Sequence, residues 1–325
     1  MKLRKVLAIG LAFSYLTFTA TLAQAAWPEH PIKIVVPFPS GNSSDVTMRL
    51  LAELLSPRLG QAVVVENKVG ASGTIGTGFV AKQPADGYTL VMGSTGPLAI
   101  VPSLRPETMT YDPLVNLEPI AAIAWAPQVM VVRSDEPFDT VRGLIKHAKE
   151  QGQNLTYGTP GVGTTPHLVI SKFLHDAGIS GMHIPYKGGM QSLTGLIGGQ
   201  IDFMSDNLPV LASALQGNRV KPIGVTSAER IPSLPEVPTL AEQGLNDFNM
   251  QGWILLMAPT GVPDEAKQRL EKEVAAVMQD EKMRERLLGL GLVPMSMPRA
   301  QIPAFLKDEA RKWKEVIELT GAKKH

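Results

Sequence analysis

The sequence predicts an α/β fold arranged as two lobes. Apolar runs of strand length alternate with amphipathic stretches, and that alternation starts twice along the chain. The strand-to-helix junctions are also rich in Gly, Ser and Thr. The 325 residues are 44% hydrophobic and 19% charged, with 31 Lys+Arg against 30 Asp+Glu. A chain of this length can bury a large core and needs no disulfide or metal staple. Its 30 Gly and 26 Pro are scattered and form no low-complexity tract, so disorder and fibrous repeats are excluded. The chain has no cysteine, which removes disulfides, thiolate metal sites, Cys nucleophiles and a lipid-modified Cys.

In the first unit, Ile32 to Val36 reads as a buried strand closed by Pro37-Phe38-Pro39-Ser40-Gly41. Asp45 to Leu59 has apolar residues at helical spacing, with Gly60 as the stop. Val63 to Val65 is a second strand, a helix passes through Phe79 and Val80, and Thr89 to Met92 is a third strand. This β-α-β-α-β order predicts parallel pairing with helices on both faces. The pattern restarts after Pro127, with strands at Val129–Val132, Leu155–Tyr157, His183–Tyr186, Ile201–Met204 and Lys221–Val225. Helices are expected at Val141–Glu150, Thr165–Ala177 and Ser192–Ile197. A strand at Trp253–Ala258 and charged helices over Asp264–Leu288 and Pro303–Leu319 close the chain. Two similar units with a C-terminal return imply two lobes joined by more than one crossing, with a cleft between them. Clefts between domains are common ligand sites.

The first 25 residues read as an export signal. Lys2, Arg4 and Lys5 precede an uncharged run from Val6 to Leu22, and Ala23-Gln24-Ala25 supplies small residues before a cleavage point. A membrane anchor is the competing reading. The run of about 17 residues is diluted by Ser and Thr and reaches only about 25 Å, against about 30 Å of hydrocarbon. Cleavage near Ala25 removes three basic residues and no acidic one, so 31 against 30 becomes 28 against 30, a balance of −2. The full chain's net charge of +1 and aromatic content of 6% leave no footprint for nucleic acid.

Ligands in open α/β sheets sit at the carboxyl ends of strands, where three junctions are polar and glycine-rich. The first spans Phe38, Ser40, Gly41, Asn42 and Asp45, and the second is Gly93-Ser94-Thr95-Gly96. The third runs through Thr159, Gly161, Gly163, Thr164, Thr165 and His167. Each presents backbone N–H groups and hydroxyls at a helix start, which favours an anion. Ordinary turn and cap chemistry is the competing explanation for any one of them. None contains a basic residue or a phosphate-loop pattern, so a carboxylate fits better than a phosphate. Asp45 is read either as a helix cap or as a partner for a ligand ammonium or hydroxyl. Asp206 and Asn207 follow a strand and face the same cleft, where a charged Asp206 would repel an anion.

Catalytic and metal patterns are weak. His167, His175 and His183 are spaced by eight, about 80° around a helix, and no His-x-x-x-His pair exists. There is no Gly-x-Ser-x-Gly elbow. A secreted serine hydrolase built from Ser94, His167 and Asp206 stays as the alternative, by spatial assembly alone.

At these loops the sequence resembles the Bug-type extracytoplasmic solute receptors, the substrate-binding proteins of tripartite tricarboxylate transporter systems. The matching segments are PIKIVVPFP (Pro31–Pro39), VVEN (Val64–Asn67), DGYTL (Asp86–Leu90) and YGTPGVGT (Tyr157–Thr164). PYKG (Pro185–Gly188), GGQID (Gly198–Asp202) and LPEVPT (Leu234–Thr239) continue the series in family order across nearly the whole mature chain.

The resemblance implies a fold like the type II periplasmic binding proteins, with lobes at 26–126 plus 249–325 and at 127–248, hinged near Trp125–Pro127 and Asp247–Gln251. It also implies a periplasmic monomer that captures a small carboxylate (a di- or tricarboxylate, an aromatic acid or an amino acid). The ligand would pass to membrane permease subunits or, alternatively, be reported to a sensor protein. The ligand carboxylate would be held by the loops Phe38–Asp45 and Thr159–His167, with Ser94, Asp206 and Asn207 as walls. No enzymatic activity, cofactor, metal or nucleic-acid partner is implied. The family usually reads Pro-Phe-Pro-Pro-Gly-Gly at the first loop, where this chain has Pro37-Phe38-Pro39-Ser40-Gly41-Asn42. That departure means either a more polar distal pocket or neutral turn chemistry.

Overall fold

The computed structural model describes residues 27–152 and 155–322; the export signal lies outside them. In chain order, β1 (Ile32–Val36), α1 (Ser43–Leu59), β2 (Val63–Asn67), α2 (Thr74–Val80) and β3 (Thr89–Ser94) follow the expected alternation. A π-helical turn (Gly96–Ile100) runs into α3 (Val101–Leu104), and β4 (Leu117–Ala126) ends the first passage. The second unit holds β5 (Val129–Arg133), α4 (Val141–Gln151), β6 (Leu155–Thr159), α5 (Thr165–Ala177), β7 (Gly181–Pro185) and α6 (Gly189–Ile197). It continues with β8 (Phe203–Asp206), α7 (Leu208–Gln216) and β9 (Val220–Val225). The return adds β10 (Gly252–Pro259), α8 (Asp264–Met278), α9 (Glu281–Gly289), β11 (Val293–Pro294) and α10 (Ile302–Thr320).

Two sheets result. The first has the order β11-β4-β10-β3-β1-β2, the second β7-β6-β8-β5-β9. β1 pairs in parallel with β2 and β3, while β10 runs antiparallel to β3 and β4. The second sheet repeats this plan: β6, β7 and β8 are parallel, and β5 runs antiparallel to β8 and β9. The central parallel strand β1 is β-branched and almost wholly buried because its sheet is covered on both faces, which is why it reads as a continuous apolar run, whereas the edge strands β2 and β7 are partly exposed.

Local chemistry sets the junctions. α1 starts two residues earlier than its apolar spacing suggests, because the Asn42 side chain accepts from Asp45 N at 2.8 Å and caps the helix. It ends at Gly60, whose φ of 70° closes the last turn at no steric cost. Four elements had no counterpart in the sequence reading: the long antiparallel β4, the Gly96–Leu104 helical segment, α7 and the short β11.

One apolar cluster lines the α1, α8 and α9 side of the first sheet, through Ile34, Met48, Leu55, Leu256 and Leu270. A second is continuous between the sheets, from Val91, Trp253 and Trp313 to Phe173 and Phe203, with α10 lying on α5. The chain passes between sheets from Ala126 to Val129 and back from Val225 to Gly252. Thr226 joins the two passages. Its Oγ1 accepts from Gln128 N (3.1 Å), its N–H donates to Gln128 O (3.1 Å) and its carbonyl accepts from Met250 N (2.8 Å). No helix among the described residues is long and apolar enough to cross a membrane.

Candidate functional site

The three loops lie at the carboxyl ends of β1, β3 and β6, with Asp206 and Asn207 at the end of β8. In the first loop, Ser40 and Gly41 are exposed, and Phe38 and Asn42 are half-buried. The Phe38 ring lies against Gly73, where a Cβ would come within 3.2 Å of its Cζ. Asp45 is buried and ties the loop together. Its Oδ2 accepts from Gly41 N (2.9 Å) and Arg49 Nε (3.0 Å), and its Oδ1 accepts from Asn67 Nδ2 (2.8 Å). Asn67 Nδ2 also reaches Phe38 O at 3.0 Å, and Arg49 donates to Asn67 Oδ1 at 2.8 Å. Burial alone would raise the Asp45 carboxyl, but the bonds from Arg49, Gly41 and Asn67 outweigh it and hold the group below its usual range. Both oxygens are taken up by Gly41, Arg49 and Asn67, and the cap of α1 is Asn42, with Asp45 in the first turn.

Ser94 is buried at the end of β3, and its Oγ has no hydrogen-bond partner among the described residues. Next to it, Thr95 Oγ1 accepts from Trp253 N at 3.1 Å, anchoring the second loop to β10.

The third loop is built from beneath. Thr159 Oγ1 lies 2.6 Å from His183 Nε2 and accepts from Gly161 N at 3.2 Å. Thr164 Oγ1 donates to Gly161 O at 2.7 Å, and Gly163 N donates to His167 Nδ1 at 3.4 Å. Gly161 and Gly163 hold φ of 134° and 80°, a region where a side chain would be strained. Tyr157, His183 and His167 stack in a column, with centroids 5.0 and 4.3 Å apart. Thr165 opens α5; Pro166 has no N–H, so Thr165 and His167 carry the first-turn amides that have no partner inside the helix.

Asp206 is 5% exposed. Its Oδ1 accepts from Asn207 N at 2.8 Å, and its Oδ2 has no partner among the described residues. The carboxylate presses on Gly189 at the start of α6, where a Cβ would sit 2.2 Å from Oδ2. Burial pushes its pKa up to about 7, partly offset by the Asn207 bond. Asn207 Nδ2 donates to Pro127 O at 3.0 Å, fixing the β8 end to the first passage between sheets.

Among the described residues Ser94 Oγ has no hydrogen-bond partner and the Asp206 carboxylate bonds to Asn207 N, so Ser94, His167 and Asp206 are not joined as a catalytic triad. Four contributors escaped the sequence reading: Arg49, Asn67, His183 and Ser72, whose Oγ donates to Val162 O at 2.9 Å across the two lobes. Asn67 ends the VVEN segment and His183 begins an apolar run, but nothing local to either announces its partner.

Two α/β lobes, joined by two passages and facing each other with donor-rich loops, define the class of bilobal solute receptors. Comparison with known proteins refines that class. Residues 47–322 match the "Tripartite tricarboxylate transporter family receptor" family, and the matched range begins just after the first loop. Protein BugT of Bordetella pertussis is 32% identical over 325 residues, covering 99% of both chains. The structure of the periplasmic binding protein BugD superposes with a TM-score of 0.83 at 33% identity, covering 92% of this chain and 100% of that one. R. palustris Rpa4515, solved with adipate, gives a TM-score of 0.85 at 34% identity, covering 91% and 98%. The chain belongs to the tripartite tricarboxylate transporter receptor family. It is a solute-binding protein of the periplasmic type, not an enzyme.

Proposed function

We propose that this chain, exported with cleavage near Ala25, works as a monomeric receptor that captures a small carboxylate and delivers it to the membrane permease subunits of a tripartite tricarboxylate-type transporter. The observation that carries the ligand class is the third loop. Its own hydrogen bonds use the Gly161, Gly163 and Thr164 donors to fix the turn, which supports the Thr165 hydroxyl and the first amides of α5 as the groups offered to a ligand, with no basic residue in the loop. Such a site suits an anion of low charge density, held by several charge-assisted bonds of about 1.5–3 kcal/mol each. The adipate on Rpa4515 fits this reading.

An anionic ligand beside Asp206 is tolerable because that carboxyl, pushed up to about 7, carries only part of its charge near neutral pH. The first loop, with Ser40 and Asn42, supplies polar groups from the opposite lobe. We place the lobe boundaries at 26–126 plus 249–325 and at 127–248, so that closure turns about the passages stitched by Thr226.

A thermal-shift screen of mono-, di-, tri- and aromatic carboxylates and amino acids tests this, with calorimetry on the hits. At least one acid should stabilise the protein with micromolar affinity, about −8 kcal/mol. If none shifts the transition while uncharged amides do, the carboxylate assignment is wrong.

A further inference from the structure

Gly70, Ala71, Ser72 and Gly73, between β2 and α2, all hold positive φ: 132°, 46°, 54° and 94°. Glycine takes such values freely, but Ala71 and Ser72 are strained there. A backbone outlier of this kind persists only where its surroundings over-determine it, and its value shows in what it positions. Here it positions one hydroxyl. Ser72 Oγ crosses from the first lobe to the second and donates to Val162 O at 2.9 Å.

Val162 lies in the middle of the third loop, between the two glycines at positive φ, where Thr164 Oγ1 binds Gly161 O. The Val162 carbonyl therefore meets Ser72 only while the loop holds the turn that also aims its N–H groups. The surrounding contacts are made by residues without side chains. A Cβ on Gly163 would lie 3.3 Å from Val101 Cγ2 and 3.4 Å from Leu104 Cδ2, and one on Gly96 would lie 3.6 Å from Gly163 O. The lobes thus approach closely at this point, and among the described residues the Ser72 bond to Val162 O joins them here.

We propose that the strained Ala71–Ser72 turn is an inter-lobe clasp, and that Ser72 is a positioning residue which couples lobe closure to the ligand-bearing turn at Gly161–Thr164. The proposal rests on the lobes moving about the two passages, as argued above. It does not depend on which acid is bound.

The absence of cysteine allows a clean test in the ligand-free full chain. Val64→Cys and Met182→Cys, both exposed and on edge strands of opposite lobes, carry spin labels for distance measurement. In this background the closed-to-open ratio should fall about fivefold in Ser72→Ala, the equivalent of one net hydrogen bond. Ser72→Gly, which removes the hydroxyl and relieves the strain, should lower it equally. A ratio unchanged in Ser72→Ala, or kept at the wild-type value by Ser72→Gly, overturns the clasp. So does a wild-type ensemble that never populates the clasped separation. Failure of the carboxylate screen would leave this result standing, and the converse also holds.

Discussion

Replacing Asp206 with Asn tests the electrostatics of the cleft floor through stability. Burial, with only the Asn207 N–H in compensation, pushes the Asp206 carboxyl from its ordinary 3.8 up to about 7. Between those values the folded chain holds a proton that the unfolded chain has released. Stability therefore falls as pH rises through this window, and the whole penalty is present above about pH 7. Each tenfold change in proton affinity is worth about 1.4 kcal/mol, so the span amounts to roughly 4 kcal/mol. Asn keeps the shape and the acceptor for Asn207 N–H but cannot ionise. Its amide leaves a buried donor beside Gly189, a cost that is the same at every pH. The readout is consequently the pH slope and not the absolute stability. In guanidinium unfolding from about pH 4 to pH 8, the wild type should lose roughly 4 kcal/mol relative to Asp206→Asn. Parallel curves would refute the reasoning, since they would mean that the carboxyl stays ionised throughout, held by the first amides of α6.

Two further substitutions probe the framework. Asn67→Ala removes the donor shared by Asp45 Oδ1 and Phe38 O, so the first loop should loosen. Affinity for whichever acid binds best in the thermal-shift screen should fall about tenfold by calorimetry, and the buried Asp45 oxygen left without its donor should lower the melting temperature as well. Glu309→Ala strips the acceptor common to Trp253 Nε1 (2.8 Å) and Trp313 Nε1 (2.9 Å), leaving two buried indole N–H groups unsatisfied. A loss of about 2–6 kcal/mol is expected in denaturant unfolding followed by tryptophan fluorescence, and a change below about 1 kcal/mol would count against that accounting.

What the sequence revealed and what it hid divide by range. α5 was legible from Thr165 to Ala177 because its start, apolar spacing and closing Gly178 are all local. β1 and β5 were legible because a parallel or central strand covered on both faces must be an apolar run. β4 was not, because LEPIAAIAWA carries a proline and four alanines and has no alternation. It becomes a strand through its pairing with β10, more than a hundred residues away. α7 hid for the opposite reason, since LPVLASALQ shows no charged face to set its period. The site divides in the same way. Gly, Ser and Thr mark the loops locally, and all three loops lie at strand ends as expected. The groups that hold those loops come from elsewhere: Arg49 and Asn67 for the first, His183 for the third and Ser72 between the lobes.

The distribution of contacts bears on how such a receptor divides its binding energy. Behind the cleft the lobes share one apolar cluster, α10 lies on α5, and Thr226 stitches the two passages together. At the front, the third loop meets the other lobe where Gly163 leaves room for Val101 and Leu104, and through the Ser72 bond. A front contact of that kind is worth about 1 kcal/mol, whereas micromolar capture corresponds to about −8 kcal/mol. The ligand shifts the two lobe arrangements only by the difference in its affinity for them, and a front contact this weak sets a low threshold for that difference. On the proposed function, selectivity would follow the donor geometry of the loops and residence time the contacts between the lobes. Changes at Ser40 or Asn42 should alter which acid is held, while changes at Ser72, Gly96 or Gly163 should alter how long it is held. The two properties can drift independently because they sit on different residues.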